Sequence, residues 1–175
     1  SESDKVVKEI EELLRELRKR VEEIIRESEA LIETLKKRVD DAVRESRKLI
    51  KDLRELIERG VPEKDIRKIA KDLEEKNKKL TDEIRRLAEE LRDRDRRLLE
   101  EIEKLLRDIE RTVDRKLSVR EKAKKLREEL RKLMEEVRRL SKETKDKLDE
   151  LLKTVEELSK ELRERLKRLL DEAET

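Results

Sequence analysis

Eight polar residues stand on stripes that should be apolar: Ser28, Ser46, Asn77, Thr81, Asp95, Ser141, Thr144 and Ser159. They are the candidates for chemistry. Asp95 can titrate, and a carboxylate held out of water can take or give a proton while hydroxyls donate to it. General acid–base work also needs a cleft, and usually a second titratable group with a displaced pKa. Serines make a poor second member. The chain has no histidine and no cysteine, which removes the usual zinc, haem and nucleophile constellations. Its single glycine cannot form a phosphate-cradling loop. The expectation is no catalytic residue, no cofactor, no metal site and no enzyme. The eight residues are instead read as a buried polar network with a structural role.

Their spacing supports that reading. Ser28 and Ser46, Asn77 and Asp95, and Ser141 and Ser159 are each 18 residues apart. The apolar residues keep the same interval. Leu13, Leu31 and Leu49 form one column; Leu14, Ile32 and Ile50 a second; Leu17, Leu35 and Leu53 a third. In the middle of the chain the columns are Ile66, Ile84 and Ile102; Ile69, Leu87 and Leu105; and Leu73, Leu91 and Ile109. In the last third they are Leu126, Thr144 and Leu162; Leu130, Leu148 and Leu166; and Leu133, Leu151 and Leu169.

Spacings of three and four are helical, and 18 residues make five turns at about 3.6 residues per turn. A heptad repeat would impose a left-handed supercoil. The 18-residue period instead predicts long, near-straight helices with little supercoil. The template sites fill an arc of about 120° on each helix, which suits a three- or four-helix bundle. The remaining face is almost entirely Lys, Arg, Glu and Asp. Glu-x-x-x-Lys and Glu-x-x-x-Arg spacings on it read as helix-stabilising pairs.

Two breaks divide the chain. Arg59-Gly60-Val61-Pro62-Glu63 holds the single glycine and the single proline. Gly60 suits a left-handed position after a helix, Val61 the apolar contact of a Schellman stop, and Pro62 the opening of the next helix. At the second break Ser118 and Glu121 form a capping box, and the apolar template slips by one residue. Ser1-Glu2-Ser3-Asp4 is a further N-cap signal. The prediction is all-α: a single domain over residues 1–175, an antiparallel three-helix bundle with helices near 3–59, 62–116 and 119–174. Read without its second turn, the second and third helices would instead run on as one very long rod.

Reflecting the helices about the two turns brings polar residues level. Ser46 falls beside Asn77 and Ser159, with Thr81 one turn away. Ser28 falls beside Asp95 and Ser141, with Thr144 one turn away. Ile10, Val113 and Ala123 make a third, apolar layer. Asn77 has donors and acceptors enough to bridge two hydroxyls, and an ionised Asp95 could accept from two. Buried polar layers penalise slipped packings, so they are read as register marks.

Composition excludes several classes. The chain is 58% charged and has no aromatic residue, yet 52 basic and 50 acidic side chains leave a net charge of only +2. That balance gives no electrostatic reason to expect nucleic acid or an anionic membrane as partner. The Arg92–Arg97 stretch is basic but interleaved with aspartates, and reads as a solvated face. No apolar run could span a bilayer or serve as a signal peptide. The protein is expected to be soluble and to stay in the cytoplasm where it is expressed.

The 18-residue columns, the Gly60-Val61-Pro62 turn, the Ser118/Glu121 cap and the Asn77 and Asp95 layers together resemble de novo designed helical bundles. The closest style is that of parametric straight bundles with buried hydrogen-bond networks. The resemblance covers essentially the whole chain and transfers no active site. It implies a monomeric structural scaffold with no natural activity and no required partner. The alternative is an open platform that accepts a partner helix or self-associates.

Overall fold

The computed structural model describes residues 2–117 and 120–174. They form three helices, α1 (Glu2–Glu58), α2 (Glu63–Lys116) and α3 (Arg120–Glu174), and no strand occurs among the described residues. The protein is an all-α three-helix bundle. Each helix is 54 to 57 residues long, and none contains glycine or proline, the two residues that most oppose a helix interior.

The first turn forms as its residues dictate. Gly60 has φ of +75°, the left-handed region that side chains with a Cβ avoid. Its N–H donates to the Ile57 carbonyl, and the Val61 N–H donates to Leu56, both at 3.1 Å. This pair is the Schellman closure. Val61 and Leu56 pack on the same buried cluster, which supplies the apolar clasp. The Pro62 carbonyl accepts from Ile66 at 3.1 Å, so proline sits just before α2 rather than in its first turn. At the second break α2 ends at Lys116, and the Leu117 N–H donates to Val113 at 3.1 Å. Buried Leu117, Val113 and Ile109 share a core with Ala123, Leu126 and Leu130 of α3. The chain therefore turns back here and is not a single rod. Ser118 of the proposed capping box, and Ser1 of the N-terminal signal, lie outside the described residues.

The chain packs as two compact units. The first comprises Ser1–Leu31 and Leu91–Lys147. Its core runs from Ile10, Leu14 and Val21 on α1 through Leu99, Leu106 and Val113 on α2 to Leu126, Leu133 and Val137 on α3. Asp114 pairs with Arg127, and Glu103 with Arg138. Eleven residues back along α2 match eleven forward along α3, so the two helices run antiparallel. The second unit comprises Ile32–Glu90 and Leu148–Thr175. Its turn end is closed by Ile50, Leu53, Ile66, Ala70, Leu162, Leu166 and Leu169. Arg38 pairs with Glu83 at 3.0 Å and Glu45 with Lys76 at 3.1 Å, seven residues on in α1 and seven back in α2.

The 18-residue interval reappears in burial. Ile66, Ile84 and Ile102 are all buried, as are Ala70, Ala88 and Leu106, Leu130, Leu148 and Leu166, and Leu133, Leu151 and Leu169. Two template columns depart from the expectation. Leu13 and Leu31 are 46% and 42% exposed, and Ile69 and Leu105 are 37% and 49% exposed. These columns lie at the edge of the apolar arc. Two neighbours cover less of each helix than the 120° the template assigns. Ala30, outside the template, is exposed, and Leu56 is half-buried at the turn.

Candidate functional site

Among the described residues, Asp95 is the charged side chain that the fold takes furthest from water. It sits on α2 at 4% exposure, between buried Leu91 and Leu99. Ser28 of α1, at 3% exposure, hydrogen-bonds its carboxylate. The other polar atom, Oδ2, is buried with no hydrogen-bond partner. Removal from water pushes the Asp95 pKa above the ordinary carboxylate range. The Ser28 hydrogen bond and the Arg94 charge pull it down, while Glu27 pushes it up. Arg94 and Glu27 are paired with each other at 2.6 Å, and their fields oppose one another at Asp95.

Around Asp95 lies a cleft of about 300 Å³ in the first unit. Its walls are Arg92, Asp95 and Arg96 from α2 and Ser141, Thr144 and Lys145 from α3. Asp95, Ser141 and Thr144 line this cleft together, and Ser28 of α1 stands against the Asp95 carboxylate. Ser141 and Thr144 are half-buried, and neither side chain makes a hydrogen bond among the described residues. The four are neighbours, with one hydrogen bond between Ser28 and Asp95, and not a closed network.

The second set is looser. Ser46 and Thr81 are buried; Asn77 and Ser159 are half-buried. Among the described residues no side-chain hydrogen bond joins Ser46, Asn77 and Ser159. The bridge expected of Asn77 is not made. Helix axes in packed bundles stand about 8–10 Å apart, and a serine hydroxyl one carbon from its backbone spans little of that gap. The Ser159 hydroxyl is buried without a partner. Thr81 satisfies itself within α2, its hydroxyl donating to the Lys78 carbonyl at 3.0 Å. Ser46 instead lines a separate cleft with Val43, Ile50, Thr154 and Leu158.

Read from the sequence, Arg92 and Arg96 belong to a solvated face, and Lys145 does not stand out. Arg92 precedes Asp95 by three, Arg96 follows it by one, and Lys145 follows Ser141 by four. Those helical spacings, applied to the polar positions rather than the apolar ones, would have found them. Among the described residues no cluster of three or more carboxylate, His or Cys side chains could hold a metal ion. No helix among them is long and apolar enough to cross a membrane.

No protein-family model and no curated protein matches the sequence. Among solved structures the chain is similar to a computationally designed three helix bundle, at 19% identity, with 99% of this chain and 86% of that chain covered and a TM-score of 0.41.

Proposed function

We propose that this chain is a designed structural scaffold with no natural biochemical activity, whose polar core positions set helix register. What carries this reading is the repetition of one burial template on every helix. Ile10, Ser28 and Ser46 on α1 and Asn77, Asp95 and Val113 on α2 are 18-residue columns, as are Ala123, Ser141 and Ser159 on α3. Each helix gives one column to polar residues and keeps one member apolar. Such regularity serves packing and does nothing for a reaction centre. Within the first unit, a one-residue slip of α1 against α2 would separate Ser28 from Asp95 and leave a carboxylate buried with no donor. That is a penalty of several kcal/mol in an apolar environment.

A variant carrying Asp95→Leu, Ser28→Ala and Ser141→Ala tests the reading. Buried charges are often replaced by packed apolar groups at no loss of stability. The scaffold reading therefore expects the variant to keep its helicity and its denaturant midpoint, or to raise the midpoint. Marked destabilisation would contradict it.

A further inference from the structure

The clefts of the molecule differ in charge. The one beside Ser46 has Arg47 and Arg165 against Glu157 and Glu161. The apolar groove beside Leu13 and Leu105 has Arg20 against Glu16 and Asp108. The Asp95 cleft has three cations, Arg92, Arg96 and Lys145, and Asp95 as its one carboxylate. Its two walls present side chains at the same spacing of i, i+3 and i+4, residues 92, 95 and 96 on one and 141, 144 and 145 on the other. Space is present because the template is truncated here: Thr144 occupies a column whose other members are Leu126 and Leu162. The half-buried hydroxyls of Ser141 and Thr144 face the cleft, and one Asp95 oxygen is buried with no hydrogen-bond partner.

We propose that this cleft is a binding site for a tetrahedral oxyanion that carries its own proton, hydrogen phosphate either free or as a phosphomonoester. Arg96 and Lys145 attract the anion, and Arg92 stands in the same wall. Arg96 is shared with Asp93 at 3.8 Å, a pair exposed enough to be exchanged for a ligand. Ser141 and Thr144 donate their hydroxyls to phosphoryl oxygens. The P–OH donates to Oδ2 of Asp95, the carboxylate oxygen that has no hydrogen-bond partner. Sulfate has the same charge and shape but no proton at neutral pH, so it meets Asp95 as one anion against another. Phosphate and Asp95 hold one proton between them, and binding is strongest where that proton is present. The groups facing Asp95 are Ser28 and Glu27 from α1, Arg92, Arg94 and Arg96 from its own helix, and Lys145 from α3.

The test is a titration of the full chain at pH 6.5 and constant ionic strength, read by amide chemical shifts. The probes are sodium phosphate, sodium sulfate and phenyl phosphate. Phosphate should saturate, with shifts centred on residues 92–96 and 141–145, and sulfate should bind about tenfold more weakly. Asp95→Asn offers an amide donor to either anion, so it should bring the two within about threefold. Thr144→Val, nearly isosteric, should weaken phosphate several-fold and, with circular dichroism as a folding control, reports even if the Asn variant does not fold. Phenyl phosphate binding like phosphate assigns the site to esters, and its failure assigns it to the free ion; either outcome keeps the site. No saturation by about 10 mM phosphate overturns the proposal. So does equal binding of sulfate that neither variant alters, the behaviour of an adventitious ion only.

Discussion

At the scale of single residues, Asp95 shows how burial changes a familiar group. Its native pKa is raised, chiefly because the ionised form loses water. A native pKa above the unfolded one means that the folded state holds the proton more tightly between the two values. The stabilising contribution of Asp95 is therefore complete in acid, below the ordinary aspartate pKa. It is lost as pH rises through the native value. Asp95→Asn should remove this dependence and raise stability at neutral pH. The difference between wild-type and variant denaturation curves from pH 3 to 8 checks it; a difference that does not change with pH would refute it. Subtraction is needed because the other acidic side chains contribute to both curves. Leu105 and Leu106 make a second residue-scale case. They are adjacent in α2, yet Leu105 is 49% exposed and Leu106 is fully buried. Leu106→Ala should destabilise by about 2–5 kcal/mol, and Leu105→Ala by less than about 1 kcal/mol. Equal effects in denaturant titrations would mean that the burial register is wrong.

At the scale of elements, the first turn was legible almost atom by atom. A lone glycine followed by an apolar residue and a proline permits few structures, and the left-handed Gly60 with its two closing hydrogen bonds is one of them. A Cβ placed at Gly60 would meet nothing within 4 Å. The effect of a substitution there is thus purely conformational. Gly60→Ala should cost about 1–2 kcal/mol, and Gly60→Asn less, because asparagine tolerates the left-handed region. Thermal midpoints of the two variants decide it, and an alanine variant as stable as wild type would remove the argument. Helix ends were also readable to within a residue, since α1 and α2 stop where Gly60 and the template slip say they should. The columns Leu13–Leu31 and Ile69–Leu105 were not. Periodicity gives the direction in which a residue points on its own helix. It does not give the width of helix that neighbours cover.

At the scale of the whole molecule, three helices each pass through both compact units without an internal glycine or proline. We expect the chain to unfold as a single domain, with one denaturant transition seen alike by circular dichroism and by amide exchange in each unit. Two separated transitions would show that the units fold independently. We also expect a monomer, with a solution mass of 21.3 kDa by light scattering. A multiple of that mass would favour the open-platform alternative, with exposed Leu13 and Leu105 as the first residues to test by substitution with lysine. Ion pairs should matter little to either result. Arg94–Glu27, at 2.6 Å, is close to half exposed on both sides, and such pairs couple by about 1 kcal/mol or less.

The amino-acid sequence by itself determined the helices, their ends, the antiparallel order and the 18-residue period, because each follows from local chemistry. Backbone entropy places the glycine and the proline, and the 3.6-residue turn spaces the leucines. Tertiary structure alone decided which polar residues meet. Ser28 reaches Asp95, while Asn77 and Ser159 do not join, since a hydrogen bond depends on tenths of an ångström that a residue count cannot carry. It alone decided that Arg92, Arg96 and Lys145 gather beside Asp95, Ser141 and Thr144. Those cations stand on faces that read, one helix at a time, as ordinary solvated surface. Only two helices packed side by side make a cleft of them.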